Sequence, residues 1–99
     1  MFEETARQWI REMHEEGTLQ VNDKEVVRQL TKDYARQIED IFYREVKNSL
    51  EKSGKSDEFE RMLLYDSQYM NKYLNQVIPG YHGFLRSTFD KAKKVILGI

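Results

Sequence analysis

The chain has 99 residues, enough for one domain with a modest hydrophobic core. It contains no cysteine, which excludes disulfide bonds, thiolate metal sites and a cysteine nucleophile. Its 16 Lys and Arg residues nearly balance 17 Asp and Glu residues, so the net charge of −1 gives no overall attraction to nucleic acid or to an anionic membrane.

Residues 2–16 predict a first helix that ends at Gly17. Its apolar side chains recur on one face: Phe2, Ala6, Trp9, Ile10 and Met13. This start is acidic and amphipathic, unlike a secretory signal, and no run of 18 apolar residues is present to span a membrane. We therefore expect a soluble, cytoplasmic protein.

The longest periodic segment predicts one long helix over about residues 22–53. Asn22 and Glu25 form a capping box at its start, and Gly54 suits the left-handed position after its end. One apolar stripe contains Val26, Val27, Leu30, Tyr34, Ile38 and Ile41. The later residues Phe42, Tyr43, Val46 and Leu50 turn away from that stripe. Either the two halves of the helix pack against different neighbours, or the second half leaves apolar surface for a partner.

Three shorter helices follow. Ser56 is the predicted cap of the third, and Asp66 or Ser67 that of the fourth, which covers roughly residues 68–77. Pro79 ends the fourth helix, and the turn at residues 80–83 leads into an amphipathic fifth helix with basic residues late in it.

These elements predict an all-α fold: a compact five-helix bundle organised around the long helix, with residues 1–99 as a single domain. Each helix is apolar on one side and buries that side against another helix. The predicted core is Trp9, Leu30, Tyr34, Ile38, Ile41, Phe59, Leu63, Leu74, Phe84, Phe89 and Ile96.

Residues 59–96 contain the Phe59-x-x-Met62 pair, the Tyr73-Leu74 pair, a break at Ile78-Pro79 and an amphipathic last helix. With these features the segment resembles the C-terminal part of a family of small bacterial helical domains of unknown function. The long helix resembles the same family more loosely. The resemblance implies an all-α fold and a bacterial source, and it implies no activity and no site.

Catalytic residue types form no known constellation. His14 and His82 lie in neither zinc-protease nor di-iron spacing. No G-x-S-x-G turn is present, and Gly54-Lys55-Ser56 lacks the first glycine and the preceding strand of a phosphate loop. We expect no enzymatic activity, no metal and no cofactor. The alternative is a small enzyme whose carboxylates, or His82, are brought together only by folding.

The favoured function is a protein-protein interaction module that can also self-associate. The expected contact surface is the turned part of the long helix, with two tyrosines at its rim: Phe42, Tyr43, Val46, Leu50, Tyr65 and Tyr69. Tyr65, Tyr69 and Tyr73 recur every four residues, which favours a core Tyr73 with the other two lining a groove edge with wet hydroxyls over an aromatic patch for a peptide or a nucleic-acid base.

The alternative function is nucleic-acid binding in a helix-turn-helix manner. The fourth helix would present amide side chains able to read base edges, and the basic end of the fifth would contact phosphates. The candidate contacts are Gln68, Asn71, Lys72, Asn75, Arg86, Lys93 and Lys94. Few basic residues flank the fourth helix, so nucleic acid is the less favoured partner.

Overall fold

The computed structural model describes residues 2–20 and 22–99, and only the backbone of Ser67. This part of the chain contains no strand and five helices: α1 (Glu3–Glu15), α2 (Lys24–Lys52), α3 (Ser56–Met62), α4 (Ser67–Val77) and α5 (Tyr81–Leu97). The predicted all-α class is confirmed, and α2, with 29 residues, is the predicted long helix. Among the described helices, none is both long and apolar enough to cross a bilayer.

Two helix termini follow the predicted local signals: the end of α2 at Gly54 and the start of α4 at Asp66. Gly54 adopts the left-handed conformation with φ of 71°, and the N–H group of Lys55 donates to the carbonyl of Leu50 at 2.8 Å. Asp66, one of two predicted caps, accepts a hydrogen bond of 2.8 Å from the backbone N–H of Tyr69. Each of these bonds satisfies a backbone group that the helix itself leaves unpaired.

Two helix starts differ from the predictions. The side chain that caps α2 is Asp23 rather than Asn22, because the Asp23 carboxylate accepts from the N–H of Glu25 at 2.8 Å. Ser56 is the first residue of α3 rather than its cap, and Lys55 in the cap position provides no side-chain hydrogen bond. In both cases the helix begins one residue away from the predicted position.

The turn before α5 is also shorter than predicted. Gly80 alone is left-handed, with φ of 66°, and the helix begins at the next residue, Tyr81. His82 is therefore an exposed residue in the first helical turn and does not lie in a loop.

The chain divides into two compact units, Met1–Asp40 and Ile41–Ile99. The first unit contains α1 and the first part of α2, and its buried side chains are Phe2, Ala6, Trp9, Ile10, Thr31, Ala35 and Ile38. The prediction of a single domain over residues 1–99 stays a prediction.

The second unit contains the rest of α2 with α3, α4 and α5. Its buried side chains are Ile41, Phe42, Val46, Leu50, Met62, Met70, Leu74, Ile78, Tyr81, Thr88 and Ala92. Lys91 of α5 pairs with Glu45 of α2 at 2.5 Å, and Nζ of Lys55 donates to the carbonyl of Val77 at 3.1 Å. The first bond joins α5 to α2, and the second joins the start of α3 to the end of α4.

The buried face of α2 differs from the predicted stripe. The side chains buried along it are Thr31, Ala35, Ile38, Ile41, Phe42, Val46 and Leu50, and apart from the adjacent Ile41 and Phe42 they recur three or four residues apart. Leu30 and Tyr34, from the predicted stripe, are only half-buried. Thr31 tolerates burial because its hydroxyl donates to the carbonyl of Val27 at 2.8 Å. Small residues thus occupy the buried face in the first half of α2. A sequence search for large apolar residues does not find this face.

The predicted core residues fall into three groups. Trp9, Ile38, Ile41 and Leu74 are buried. Leu30, Tyr34, Phe59, Phe84, Phe89 and Ile96 are half-buried. The prediction for Leu63 is wrong: its side chain is 49% exposed, because α3 ends at Met62 and Met62 takes the buried position.

Candidate interaction surface

An exposed apolar surface lies where α3 passes into α4. Leu63 is 49% exposed, Leu64 is 84% exposed and Tyr69 is 60% exposed, while Tyr65 between them is half-buried. We call these four side chains the corner patch. Exposed large apolar side chains that are adjacent to one another are typical of contact surfaces, so the corner patch is the candidate interaction surface.

Backbone hydrogen bonds hold the corner patch in place. The N–H groups of Leu63, Leu64 and Tyr65 donate to carbonyls of α3 at 3.3, 3.2 and 3.1 Å. On the other side, Asp66 caps α4 through the N–H of Tyr69. Both leucines are therefore presented by a defined turn and not by a loose loop.

The aromatic rings of the patch contact one another. The centroid of the Tyr65 ring lies 5.0 Å from that of Tyr69 and 5.2 Å from that of Tyr73, both at steep interplanar angles. Such edge-to-face contacts fix ring orientations. Tyr65 thus links the exposed ring of Tyr69 to the half-buried ring of Tyr73.

Charges of both signs flank the corner patch. Glu60, Arg61, Asp66 and Lys72 are all exposed, and Arg61 lies 3.8 Å from the carboxylate of Glu58. A rim with mixed charge is able to pair with an identical rim.

The predicted contact surface on α2 is wrong for three of its residues. The side chains of Phe42 and Val46 have no exposed area and that of Leu50 is 1% exposed, so none of them can meet a partner. They lie in phase with Thr31 and Ile38 on the buried face of α2, which is why they turn away from the predicted stripe.

The other predicted contact residues are more accessible. Tyr43 is half-buried, and its ring meets the ring of Phe42 edge-on at 5.6 Å. Tyr65 and Tyr69 belong to the corner patch. Leu64 was not predicted as a contact residue from the sequence. The apolar run before Asp66 is short, which is a sequence signal that the helix ends there and that Leu64 lies in the turn.

The predicted nucleic-acid contacts differ in their accessibility. Gln68, Lys72 and Asn75 are exposed on α4. Asn71, in contrast, is half-buried, and its Oδ1 accepts a hydrogen bond of 2.9 Å from the hydroxyl of Tyr81. Asn71 is therefore part of the packing between α4 and α5.

On α5, Arg86 and Lys94 line a shallow depression of about 480 Å³ together with Asp90 and Lys91. Lys93 is half-buried and does not line it. Lys91 is paired with Glu45, and the carboxylate of Asp90 lines the same depression, so part of the positive charge there is offset.

The hydroxyl groups of Tyr81 and Tyr73 in the second unit differ in their hydrogen bonding, because that of Tyr81 donates to Asn71. Burial raises the pKa of Tyr81 from 10.0 to about 12, because the phenolate is poorly solvated there. The hydroxyl of Tyr73 is buried and has no hydrogen-bond partner among the described residues.

Within residues 2–20 and 22–99, no group of three or more His, Asp or Glu side chains is arranged to hold a metal ion.

A separate groove lies in the first unit, between α1 and the start of α2. Its volume is about 600 Å³, and Arg7, Val27 and Thr31 are among the residues that line it. No sequence motif indicated this groove, because its two walls come from different helices.

Comparison of the chain with protein-family models, with curated proteins and with solved structures finds no match.

Proposed function

We propose that the protein is a non-catalytic protein-interaction module whose partner is a second copy of the same chain, with the corner patch as the contact surface. The observation that carries this proposal is Leu64, which is 84% exposed in a turn held by backbone hydrogen bonds. A partner that covers such a preorganised side chain removes apolar area from water without first having to order a loop.

Charge favours an identical partner. The rim of the corner patch carries Arg61 and Lys72 as well as Glu60 and Asp66. In a two-fold contact each residue pair occurs twice with the two copies exchanged, so a rim that carries both signs allows a positive group of each copy to meet a negative group of the other. The net charge of −1 adds almost no repulsion between two chains.

A second exposed apolar pair makes a useful contrast. Val95 is 65% exposed at the end of α5, and Ile99 follows it. The exposed charged residues near Val95 on α5 are Asp90, Lys91 and Lys94, and Lys91 is paired with Glu45. Val95 lies outside the corner patch, so it serves as a control position.

The expected dimer is weak. Four side chains cover less than the roughly 800 Å² per partner that stable interfaces bury. We expect association in the micromolar to millimolar range, and a cytoplasmic location as predicted from the sequence.

The test is the solution mass across a concentration series, measured by sedimentation equilibrium. Wild-type protein should rise from the monomer mass of 11.9 kDa towards twice that value. Leu64→Glu should remain monomeric throughout, because a carboxylate cannot be buried without a partner charge.

The matched control is Val95→Glu, which makes the same change of charge at an exposed apolar position outside the corner patch. It should associate as the wild type does. Circular dichroism of both variants should match the wild type, since neither side chain is buried. A wild-type chain that stays monomeric at all concentrations, or equal loss of association in both variants, would overturn the proposal.

A further inference from the structure

The groove of the first unit has two parts that share residues. The larger part, about 600 Å³, and a neighbouring part of about 340 Å³ are both lined by Arg7, His14, Val27 and Thr31. The two parts therefore adjoin, and we call them together the α1–α2 groove. Its size is that of small-molecule sites, which span about 300–1,000 Å³.

Positive charge dominates the walls of the α1–α2 groove. Five cationic side chains line it: Arg7, Arg11, Lys24, Arg28 and Lys32. Only two carboxylates do so, Glu3 and Glu15. This excess contrasts with the net charge of −1 on the whole chain.

Three of these cations have no ion-pair partner among the residues that the structure describes. Arg7 is paired with Glu3 and Glu4, and Arg28 with Glu25. Within the described part of the chain, by contrast, Arg11, Lys24 and Lys32 make no hydrogen bond or ion pair. The groove therefore presents unpaired positive charge to whatever enters it.

The spacing of the positive charges on α2 destabilises this helix taken by itself. Lys24, Arg28 and Lys32 follow one another four residues apart, so like charges are neighbours along one face. Lys24 also lies in the first turn, at the positive end of the helix dipole. An anion bound beside this row would relieve both repulsions.

The narrower part of the groove has a different character. Ile10, Val27 and Thr31 line it, and the aliphatic stems of Arg7 and Arg11 add to its walls. An apolar floor beside a cationic row suits a molecule with an aliphatic tail and an anionic head.

We propose that the α1–α2 groove binds a small amphiphile with a carboxylate head and an aliphatic chain, its head beside Lys24 and Lys32 and its chain along Ile10 and Val27. This proposal concerns the first unit and is independent of the corner patch. An acidic peptide is the less favoured occupant, because the volume of the groove is that of a small-molecule site and its apolar floor suits an aliphatic chain.

Isothermal titration calorimetry with sodium dodecanoate below its micelle concentration tests the proposal. Dodecyltrimethylammonium has the same chain with a cationic head, and acetate has the head without the chain. We expect dodecanoate to bind at least about tenfold more tightly than either. Affinity should rise from octanoate to dodecanoate by up to about fourfold per methylene group that enters the groove.

Two charge-reversal variants on α2 distinguish binding in the groove from a general effect of the charge of the chain. Lys32→Glu should weaken dodecanoate binding about tenfold or more. Lys47→Glu makes the same change at an exposed position outside the groove, and it should leave binding within about twofold of the wild type. Amide chemical shifts should move on binding in residues 7–15 and 24–32.

Three results would overturn the proposal. One is equal binding of the cationic and anionic twelve-carbon amphiphiles, and another is equal loss of binding in Lys32→Glu and Lys47→Glu. The third is binding of tail-free oligoglutamate as tight as that of dodecanoate, which would assign the groove to an acidic peptide instead.

Discussion

The hydroxyl of Tyr81 donates a hydrogen bond of 2.9 Å to Oδ1 of Asn71, joining the first turn of α5 to the middle of α4. This bond has two consequences. It places Tyr81 in the core of the second unit, and it turns the amide of Asn71 inward, away from any base that α4 was predicted to read.

The first prediction concerns alkaline pH. The pKa of Tyr81 is raised from 10.0 to about 12 by burial, so between these values the unfolded chain has lost a proton that the folded chain keeps. The stability tied to this proton is therefore fully present below pH 10 and is lost as the pH rises to about 12. Ultraviolet absorbance should show one tyrosine ionising late, near pH 12.

Tyr81→Phe should abolish that late step. Tyr69→Phe, at an exposed tyrosine, is the control and should leave the step in place. A late step that survives in Tyr81→Phe would show that another group causes it.

The second prediction concerns the two hydroxyls of the second unit. The Tyr73 hydroxyl is buried without a partner among the described residues, and an unsatisfied polar group opposes folding. Tyr73→Phe should leave the free energy of unfolding unchanged or raise it by up to about 1 kcal/mol. Tyr81→Phe, which loses a hydrogen bond, should lower it by about 1 kcal/mol. Urea denaturation of the three proteins measures both, and destabilisation of equal size in both variants would contradict the prediction.

The third prediction compares two glycines. Gly54 is left-handed, with φ of 71°, and the space that a Cβ atom would occupy there is open, so Gly54→Ala is disfavoured by the backbone alone. We expect a loss of about 1 kcal/mol in unfolding free energy. Gly83 lies inside α5 with open space around it, and Gly83→Ala should instead stabilise the protein by about 0.5–1 kcal/mol. Effects of the same sign in thermal denaturation would contradict this contrast.

The fourth prediction separates the buried face of α2 from the corner patch. Phe42 has no exposed area, so Phe42→Ala should lower the unfolding free energy by about 3–5 kcal/mol. Tyr69→Ala should change it by less than about 0.5 kcal/mol, because Tyr69 is mostly in water. Self-association should respond in the opposite way, with Tyr69→Ala weakening it. If Tyr69→Ala associates as the wild type does, Tyr69 is no part of the contact.

Asp66 tests whether the corner patch must be held in place. Asp66→Ala removes the cap on Tyr69 N–H and should lower stability by about 1 kcal/mol and weaken association. Asp66→Ser retains a capping oxygen and should restore most of both properties. Association that is insensitive to both changes would show that the turn need not be preorganised.

Short-range signals in the amino-acid sequence were sufficient for the fold class and for most helix ends. Gly54, Asp66 and Pro79 act through bonds and backbone angles within a few residues of themselves, so their effects are readable without a fold. The contact between Tyr65 and Tyr69 does not follow from helical spacing in the same way, because Tyr65 lies in the turn before α4 and only Tyr69 is in the helix.

Packing alone decided which surfaces stay in water. Thr31 and Ala35 lie on the buried face of α2, although no hydrophobicity count favours them over the half-buried Leu30 and Tyr34. The burial of Phe42, the exposure of Leu64 and the α1–α2 groove depend in the same way on contacts between helices distant in sequence. Such contacts form only when the chain folds, and for that reason the candidate interaction surface moved from α2 to the turn between α3 and α4.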